Sequence, residues 1–237
     1  MAISVDNVYK TVLSILNKEG RGYITPEEFN RIGSQVQLDI LDQNFHDYNR
    51  AVVKHTRGAG VNGYGNIPER IEQKIDPFYA FADITLSSGV GTLPTDLYRT
   101  ISISISNKTL ELEKVDKKTL SYLLSSPLTK PTTSFPVYYQ RATDIIVEPA
   151  LTDGSWTLGN LKIEYIKTPA DIAWAYASSG IGVLTYNSSG SVDFTLHESD
   201  RVQLVLGILK YAGLVIEDPM VIQGASQEEA KKIQLEN

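Results

Sequence analysis

Residues 17–29 read N-K-E-G-R-G-Y-I-T-P-E-E-F, and two readings of them compete. The first is an EF-hand calcium loop, which needs oxygen ligands at its first, third, fifth and twelfth positions and a glycine at the sixth. Gly22 takes the sixth position, Ile24 the apolar eighth and Glu28 the twelfth. The first position is the uncharged Asn17, and Glu19, at the third, is longer than the usual Asp. Arg21 at the fifth would repel a dication. The second reading is a turn between two helices. Thr25 is an N-cap, Pro26 fills the first helical position, and Glu28 stands three residues after the cap. That is a capping box. Gly20 and Gly22 let the preceding helix end and the chain turn. The chain therefore opens with a helical hairpin and carries no calcium site here.

Working outward, Val5, Val8, Tyr9, Val12, Leu13 and Leu16 repeat at helical spacing, so a first helix runs to about Asn17. A second begins at Thr25, buries a stripe of Phe29, Ile32, Val36, Ile40 and Phe45, and continues to about Val53. Arg31, Gln35 and Asp42 suit its outer face. Residues 57–66, R-G-A-G-V-N-G-Y-G-N, contain Gly58, Gly60 and Gly63 in G-x-G-x-x-G order. A dinucleotide site needs a strand before that motif and a helix directly after it. Here a helix precedes it and Pro68 follows, so it reads as a flexible loop.

From about residue 79 the period changes from helical to two. Residues 79–86, 100–106, 110–115, 137–140, 144–148 and 161–166 read as strands. The run I-S-I-S-I-S at 101–106 sets isoleucines on one face and serines on the other. Asn107-Lys108 makes a hairpin turn into the next strand. Residues 117–125 form a short helix, and the three prolines within 125–136 make an extended loop. A further strand pair is expected at 181–186 and 191–196, joined by N-S-S-G. A long helix follows, with Ser199 or Asp200 as its cap and Val202, Val205, Leu206, Leu209, Ala212, Leu214 and Val215 on its apolar face; Asp218-Pro219 ends it. Ser226 and Glu229 make a second capping box for a polar terminal helix whose only sizeable apolar residues are Ile233 and Leu235.

The fold class is therefore α+β: a bundle of N- and C-terminal helices with a β-rich, antiparallel insert in the middle. The expected divisions are 1–56 for the helical hairpin, 57–76 for the glycine-rich loop and a short helix, 77–198 for the β-rich domain, and 199–237 for the C-terminal helix and tail, packed with 1–56.

The 237 residues suffice for one large or two small cores. A net charge of −6 gives no general attraction for phosphate backbones. The absence of cysteine excludes disulfides, thiolate metal sites and cysteine nucleophiles. The first residues lack the basic start and apolar core of a signal peptide, and the most apolar run, 202–216, is too short to span a bilayer. A soluble protein made in a cytoplasm is expected.

No catalytic or metal-ligating set emerges, and no cofactor motif survives inspection. His46 and His55 are nine residues apart and do not share a helical face at ligand spacing; His197 stands alone. There is no G-x-S-x-G and no Walker loop. Asp144 and Glu148 share a strand face, which surface solvation explains more simply than acid–base chemistry; Asp171, Asp193 and Glu198 are no more informative. The aromatics lean elsewhere. Tyr138, Tyr139, Tyr165, Trp174 and Tyr176 cluster in the β-rich half, and such side chains suit interfaces or sugar-binding faces.

Several stretches together resemble phage virion proteins: residues 17–32, the glycine-rich loop, L-P-T-D-L-Y-R at 93–99, I-E-Y-I-K-T-P at 163–169, and L-K-Y-A-G-L-V-I-E-D-P at 209–219. In order and spacing the chain resembles head–tail connector (adaptor or ring) proteins of short-tailed, crAss-like phages. The resemblance implies a noncatalytic subunit of a homo-oligomeric ring, usually twelvefold, below the portal protein and part of the DNA exit channel. It implies adjacent tail or ring proteins as partners, genomic DNA passing without sequence recognition, no membrane, and a place at the head–tail junction of the virion. By the same analogy the tail docks on the portal through Met220, Val221, Ile222, Ile233 and Leu235. Alternatives are a tail-tube or tail-hub component, a glycan-binding β module, and a hydrolase using Asp144 and Glu148.

Overall fold

A computed structural model of the chain describes residues 2–18, 23–56, 67–105, 111–132, 134–149, 161–178, 184–215, 223, 226–228 and 230–231. The fold is α+β, with helices at both ends and a β-rich middle. It divides into two compact units. One combines residues 1–77 and 169–237; the other is 78–168.

In the first unit, helix α1 (Val5–Lys18) and helix α2 (Pro26–Thr56) form on either side of the expected turn, whose residues 19–22 lie outside the described residues. Helix α3 (Ile67–Ile75) packs on α2, and helix α5 (Arg201–Val215) packs on both α1 and α2. On α1, Val5, Val8, Tyr9, Val12 and Leu16 are buried, as their spacing requires. Beyond the buried Pro26 at its start, the buried positions described on α2 are Phe29, Gly33, Val36, Gln37, Ile40, Leu41 and Asn44, which follow one face for four turns. Ile32 and Phe45, expected in that stripe, sit at its margins. The face of α5 differs more from expectation. Leu204, Ile208, Leu209 and Ala212 are buried, while Val202 is 61% exposed. α5 is apolar on nearly every side, so spacing alone cannot orient it. Gly207 does so: a Cβ there would lie 2.7 Å from Val36 Cγ1, so the two helices cross where one has no side chain.

The expected division at residue 198 also moves. Residues 169–198 belong with the helices, because α2 holds them by side chains. Asn30 Oδ1 accepts from Trp174 N (2.8 Å) and Ser34 Oγ from Ile172 N (3.1 Å). Gln37 donates to the Ala170 carbonyl (3.1 Å) and accepts from Thr195 N (2.9 Å). Asn30, Ser34 and Gln37 lie one turn apart on one face, so the helix supplies hydrogen bonds that a neighbouring strand otherwise would. Gly33 lets the segment approach: a Cβ there would meet Ile172 Cδ1 at 2.8 Å. The chain start joins the same arrangement. Ile3 and Phe194 exchange backbone hydrogen bonds of 3.1 Å, and Asp193 Oδ1 accepts from Val5 N at 2.8 Å, satisfying an orphan donor at the start of α1.

Among the described residues, the strand pair expected at 181–186 and 191–196 does not form. Strand β10 (Leu184–Tyr186) pairs instead with strand β9 (Tyr176–Ser178), and Ser188–Gly190 is a 3-10 turn. Asn187 caps that turn through Ser189 N, which diverts N-S-S-G from a hairpin.

The second unit contains two sheets. Strands β1 (Tyr79–Ile84), β8 (Leu161–Lys167) and β4 (Leu97–Ile105) lie in the order β1-β8-β4. Strands β2 (Leu86–Ser87), β3 (Val90–Thr92), β7 (Asp144–Glu148), β6 (Val137–Gln140) and β5 (Glu113–Lys114) lie in the order β2-β3-β7-β6-β5. All pairs are antiparallel except β5 with β6. β1 and β2 are successive parts of one strand path, and Leu112 N donates to the Ile103 carbonyl at 2.8 Å. The sheets are thus joined at both sides and curl round one core, which includes Ile84, Ile103, Ile105, Leu112, Tyr138, Ile145, Leu161 and Ile163. Ser88 (φ 51°) and Gly89 (φ 79°) are both left-handed, the geometry of a two-residue hairpin turn between β2 and β3.

The I-S-I-S-I-S alternation is interrupted. Thr100 and Ser102 face successive residues of β8, so Ile101 is an extra residue in a bulge and is 50% exposed. Ile103 and Ile105 keep to the core. Helix α4 (Lys117–Ser125) has the bounds its sequence predicts. Asn107-Lys108, the glycine-rich motif, Gly20, Gly22 and Arg21 lie outside the described residues.

Candidate functional site

The capping box of the opening hairpin is in place. Thr25 N and Thr25 Oγ1 donate to Glu28 Oε2 (2.9 and 2.8 Å), and Glu28 N donates to Thr25 Oγ1 (3.3 Å). These bonds, first that from the Thr25 N–H and then that from its hydroxyl, hold the Glu28 carboxyl below the usual carboxylate range. Ser226 is itself helical, while Glu229, Met220, Val221, Ile222, Ile233 and Leu235 lie outside the described residues.

The cap expected at Ser199 or Asp200 is taken by His197. Its Nδ1 accepts from Ser199 N (3.3 Å) at the head of a 3-10 turn, Glu198–Asp200, that leads into α5. Asp200 is freed for another role. It is fully buried and receives Lys74 Nζ at 3.0 Å and Asn44 Nδ2 at 3.4 Å. The ion pair ties α3, and the Asn44 hydrogen bond ties α2, to the turn that leads into α5. A buried carboxylate left without its cation costs several kcal/mol, which makes this contact a structural clamp.

Asp144 and Glu148 stand at opposite ends of β7, both outside the core face occupied by Ile145 and Val147. Four strand residues separate them by about 13 Å. That exceeds the spacing at which paired carboxylates act on one glycosidic bond. Among the described residues, no three His, Asp or Glu side chains converge as metal ligands.

The aromatics read from the sequence as a possible interface are largely core. Tyr138, Tyr165 and Trp174 are buried. Burial raises the Tyr138 hydroxyl above its ordinary range, with Glu111 adding to it; Tyr165 is raised by burial and by its hydrogen bond to Asp96 (3.0 Å). Trp174 stacks against Tyr176 and Tyr186 (centroids 6.0 and 5.8 Å), which are cross-strand partners, and donates from Nε1 to Asp6 Oδ1 at 3.1 Å. Of that group only Tyr176 is substantially exposed.

A group of exposed apolar side chains in the β unit stands elsewhere, on α4 and the loop after it. Tyr122 is 65%, Leu124 40%, Leu128 94% and Phe135 75% exposed. Leu128, Lys130 and Phe135 line a shallow groove together with Glu111, Glu113 and Pro131. Leu120 alone anchors α4 in the core. The chain signals this excursion in composition more than in period: Y-L-L-S-S-P-L places three leucines beside a proline that ends the helix. A second exposed aromatic, Phe81 on β1, lies under Lys162 Nζ at 4.8 Å from the ring centre. Beside it Ser102 Oγ donates to Glu164 Oε2 at 3.2 Å, so that face is already satisfied within the sheet.

The two units also differ in charge. Residues 78–168 contain nine acidic and nine basic residues, so the whole net charge of −6 belongs to the helical unit. Among the described residues no helix is long and apolar enough to cross a membrane. The chain matches no protein-family model and no curated protein.

Proposed function

We propose that this chain is a noncatalytic structural subunit of a phage virion, a head–tail connector ring protein that joins the portal to the tail. The observation that carries this reading is the exposed apolar excursion of Tyr122, Leu124, Leu128 and Phe135 on a β unit whose carboxylates do not converge. Such surface is costly in water and is typical of a face that another protein covers. The sequence resemblance supplies the class of assembly. A closed ring needs two different, complementary faces on each subunit, and the contrast in charge between a neutral β unit and an acidic helical unit suits that need. In this reading the subunits form a homo-oligomer, twelvefold by analogy, stacked against a portal protein and a neighbouring tail protein. The acidic charge of the helical unit disfavours adhesion to passing DNA. Met220, Val221, Ile222, Ile233 and Leu235 are the proposed portal contacts.

The glycan-binding alternative loses the platform first expected for it, because Tyr138, Tyr165 and Trp174 are buried. A direct test is negative-stain electron microscopy of the purified chain mixed with portal rings from the same phage. The reading expects rings of this chain capping one end of the portal. Portal rings that stay bare, with the chain folded and in excess, would contradict it.

A further inference from the structure

Asp200 is a fully buried carboxylate that the proposed function does not use. Its cation is Lys74, itself largely buried, at 3.0 Å. A buried ion pair is weak evidence for stability, because drying two charges costs about as much as their attraction returns. Its place in the fold is more telling. Lys74 on α3 and Asn44 on α2 both reach this carboxylate, and burial stops at both of them. Beyond Asn44, none of residues 45–53 of α2 is buried. Before Lys74, none of residues 67–73 of α3 is buried.

The apolar positions of α3 follow the same gradient. Ile67, Ile71 and Ile75 recur every four residues and share one side of the helix. Ile67 is exposed, Ile71 half-buried and Ile75 buried. Helix α3 is thus fastened at its last turn and loosens toward its start. One buried isoleucine and one ion pair hold nine residues in place. By contrast, α2 and α5 are fastened by Phe29, Val36, Ile40, Leu41, Leu204 and Ile208.

We infer that α3 is a strap with two states, latched by the Lys74–Asp200 pair. In the docked state α3 lies on α2 with Lys74 against Asp200. In the released state α3 lifts away through a local opening, while α1, residues 26–44 of α2 and α5 stay folded. On release both charges regain water, and their hydration offsets much of the lost attraction. Little remains to resist the opening beyond the burial of Ile75 and part of Ile71. The pair therefore decides whether α3 stays docked. The strap works without a ring or a portal, so it stands or falls apart from the proposed function.

Amide hydrogen exchange of the full chain tests the strap, in water and in urea below the unfolding transition. In the wild type, amides of 71–75 should exchange through an opening at least roughly tenfold more populated than the one that exposes 32–44. Asp200→Asn keeps the side chain's size and leaves Lys74 without its counter-charge. It should speed exchange at 71–75 by roughly tenfold or more, with 32–44 and 205–215 unchanged. Lys74→Met added to Asp200→Asn removes the stranded charge and should restore protection at 71–75. Wild-type amides of 71–75 that exchange only with global unfolding would overturn the strap. So would Asp200→Asn exchanging like the wild type at 71–75, which would mean that apolar packing holds α3. Equal acceleration at 71–75, 32–44 and 205–215 would place the pair in the common core and overturn it too, as would Asp200→Asn without rescue by Lys74→Met. Where Asp200→Asn does not fold, the wild-type urea series decides alone.

Discussion

The two units solve the same problem, satisfying buried backbone groups, by different means. In the β unit the strands do it for one another, through antiparallel ladders around a core of Ile103, Ile145, Leu161 and Ile163. In the helical unit, side chains do it. Asn30, Ser34 and Gln37 on α2 hold residues 170–174, and Gln37 also holds Thr195. A ladder spreads its stability over many equivalent bonds. A side-chain clasp concentrates it in a few residues whose replacement leaves orphaned donors behind. Substitutions in the two units should therefore fail differently.

The largest effect should come from Ile103→Asp. A carboxylate in the β core costs more than about 4 kcal/mol. Hydrogen exchange should show peptides within 79–105 and 137–148 losing protection while α2 and α5 keep theirs. Loss of protection throughout would show that the two units do not fold separately. Gln37→Leu comes next. It conserves approximate size but leaves the Thr195 N–H and the Ala170 carbonyl without that partner, for a loss of about 2 kcal/mol in urea unfolding. Its exchange signature should sit in 170–174 and 192–196. Thr25→Ala removes one side of the capping box and should cost about 1 kcal/mol. Glu28 would no longer be held as an acceptor by the Thr25 hydroxyl.

Acidification gives a smaller effect. Burial raises the Asp6 carboxyl, but hydrogen bonds from Lys10 (2.6 Å) and Trp174 (3.1 Å) outweigh it and hold it below its ordinary range. A carboxylate depressed in the fold contributes fully above its unfolded value, about pH 4, and the contribution is lost as pH falls through the folded value. Wild type should lose more stability than Asp6→Asn between about pH 5 and pH 2, by less than about 1 kcal/mol. Equal losses would show that Asp6 is not linked to folding. The smallest effect should belong to Leu128→Ser. At 94% exposure this leucine contributes nothing to the core, so thermal melting of the isolated chain should not move.

This contrast also explains what the sequence made legible. Ladders and helical stripes announce themselves by period, so α1, α2, α4, β6 and β7 were readable to within a few residues. The capping box was readable because Thr25 and Glu28 act over three positions of chain. The clasp was not, because Gln37 meets Ala170 and Thr195 across more than a hundred residues and nothing local marks a glutamine as an adhesive. The role of Asp200 is hidden for the same reason: local sequence offers Ser199 or Asp200 as a cap, while Lys74 and Asn44, which claim Asp200, are far away in sequence. The rotation of α5 was hidden by apolar residues on nearly all its sides. Ile101 was hidden by a bulge that leaves the alternating letters intact. The exposed excursion was legible in composition, and only its burial pattern showed that Tyr122, Leu124, Leu128 and Phe135 stay in solvent.

The central claim is that the apolar face of the β unit and the acidic helical unit serve an assembly in which this chain forms a ring between portal and tail. Electron cryo-microscopy of the intact particle tests it most directly. The account predicts a ring of this chain below the portal, with Leu128 and Phe135 covered by protein. A head–tail junction built entirely of other chains would contradict it.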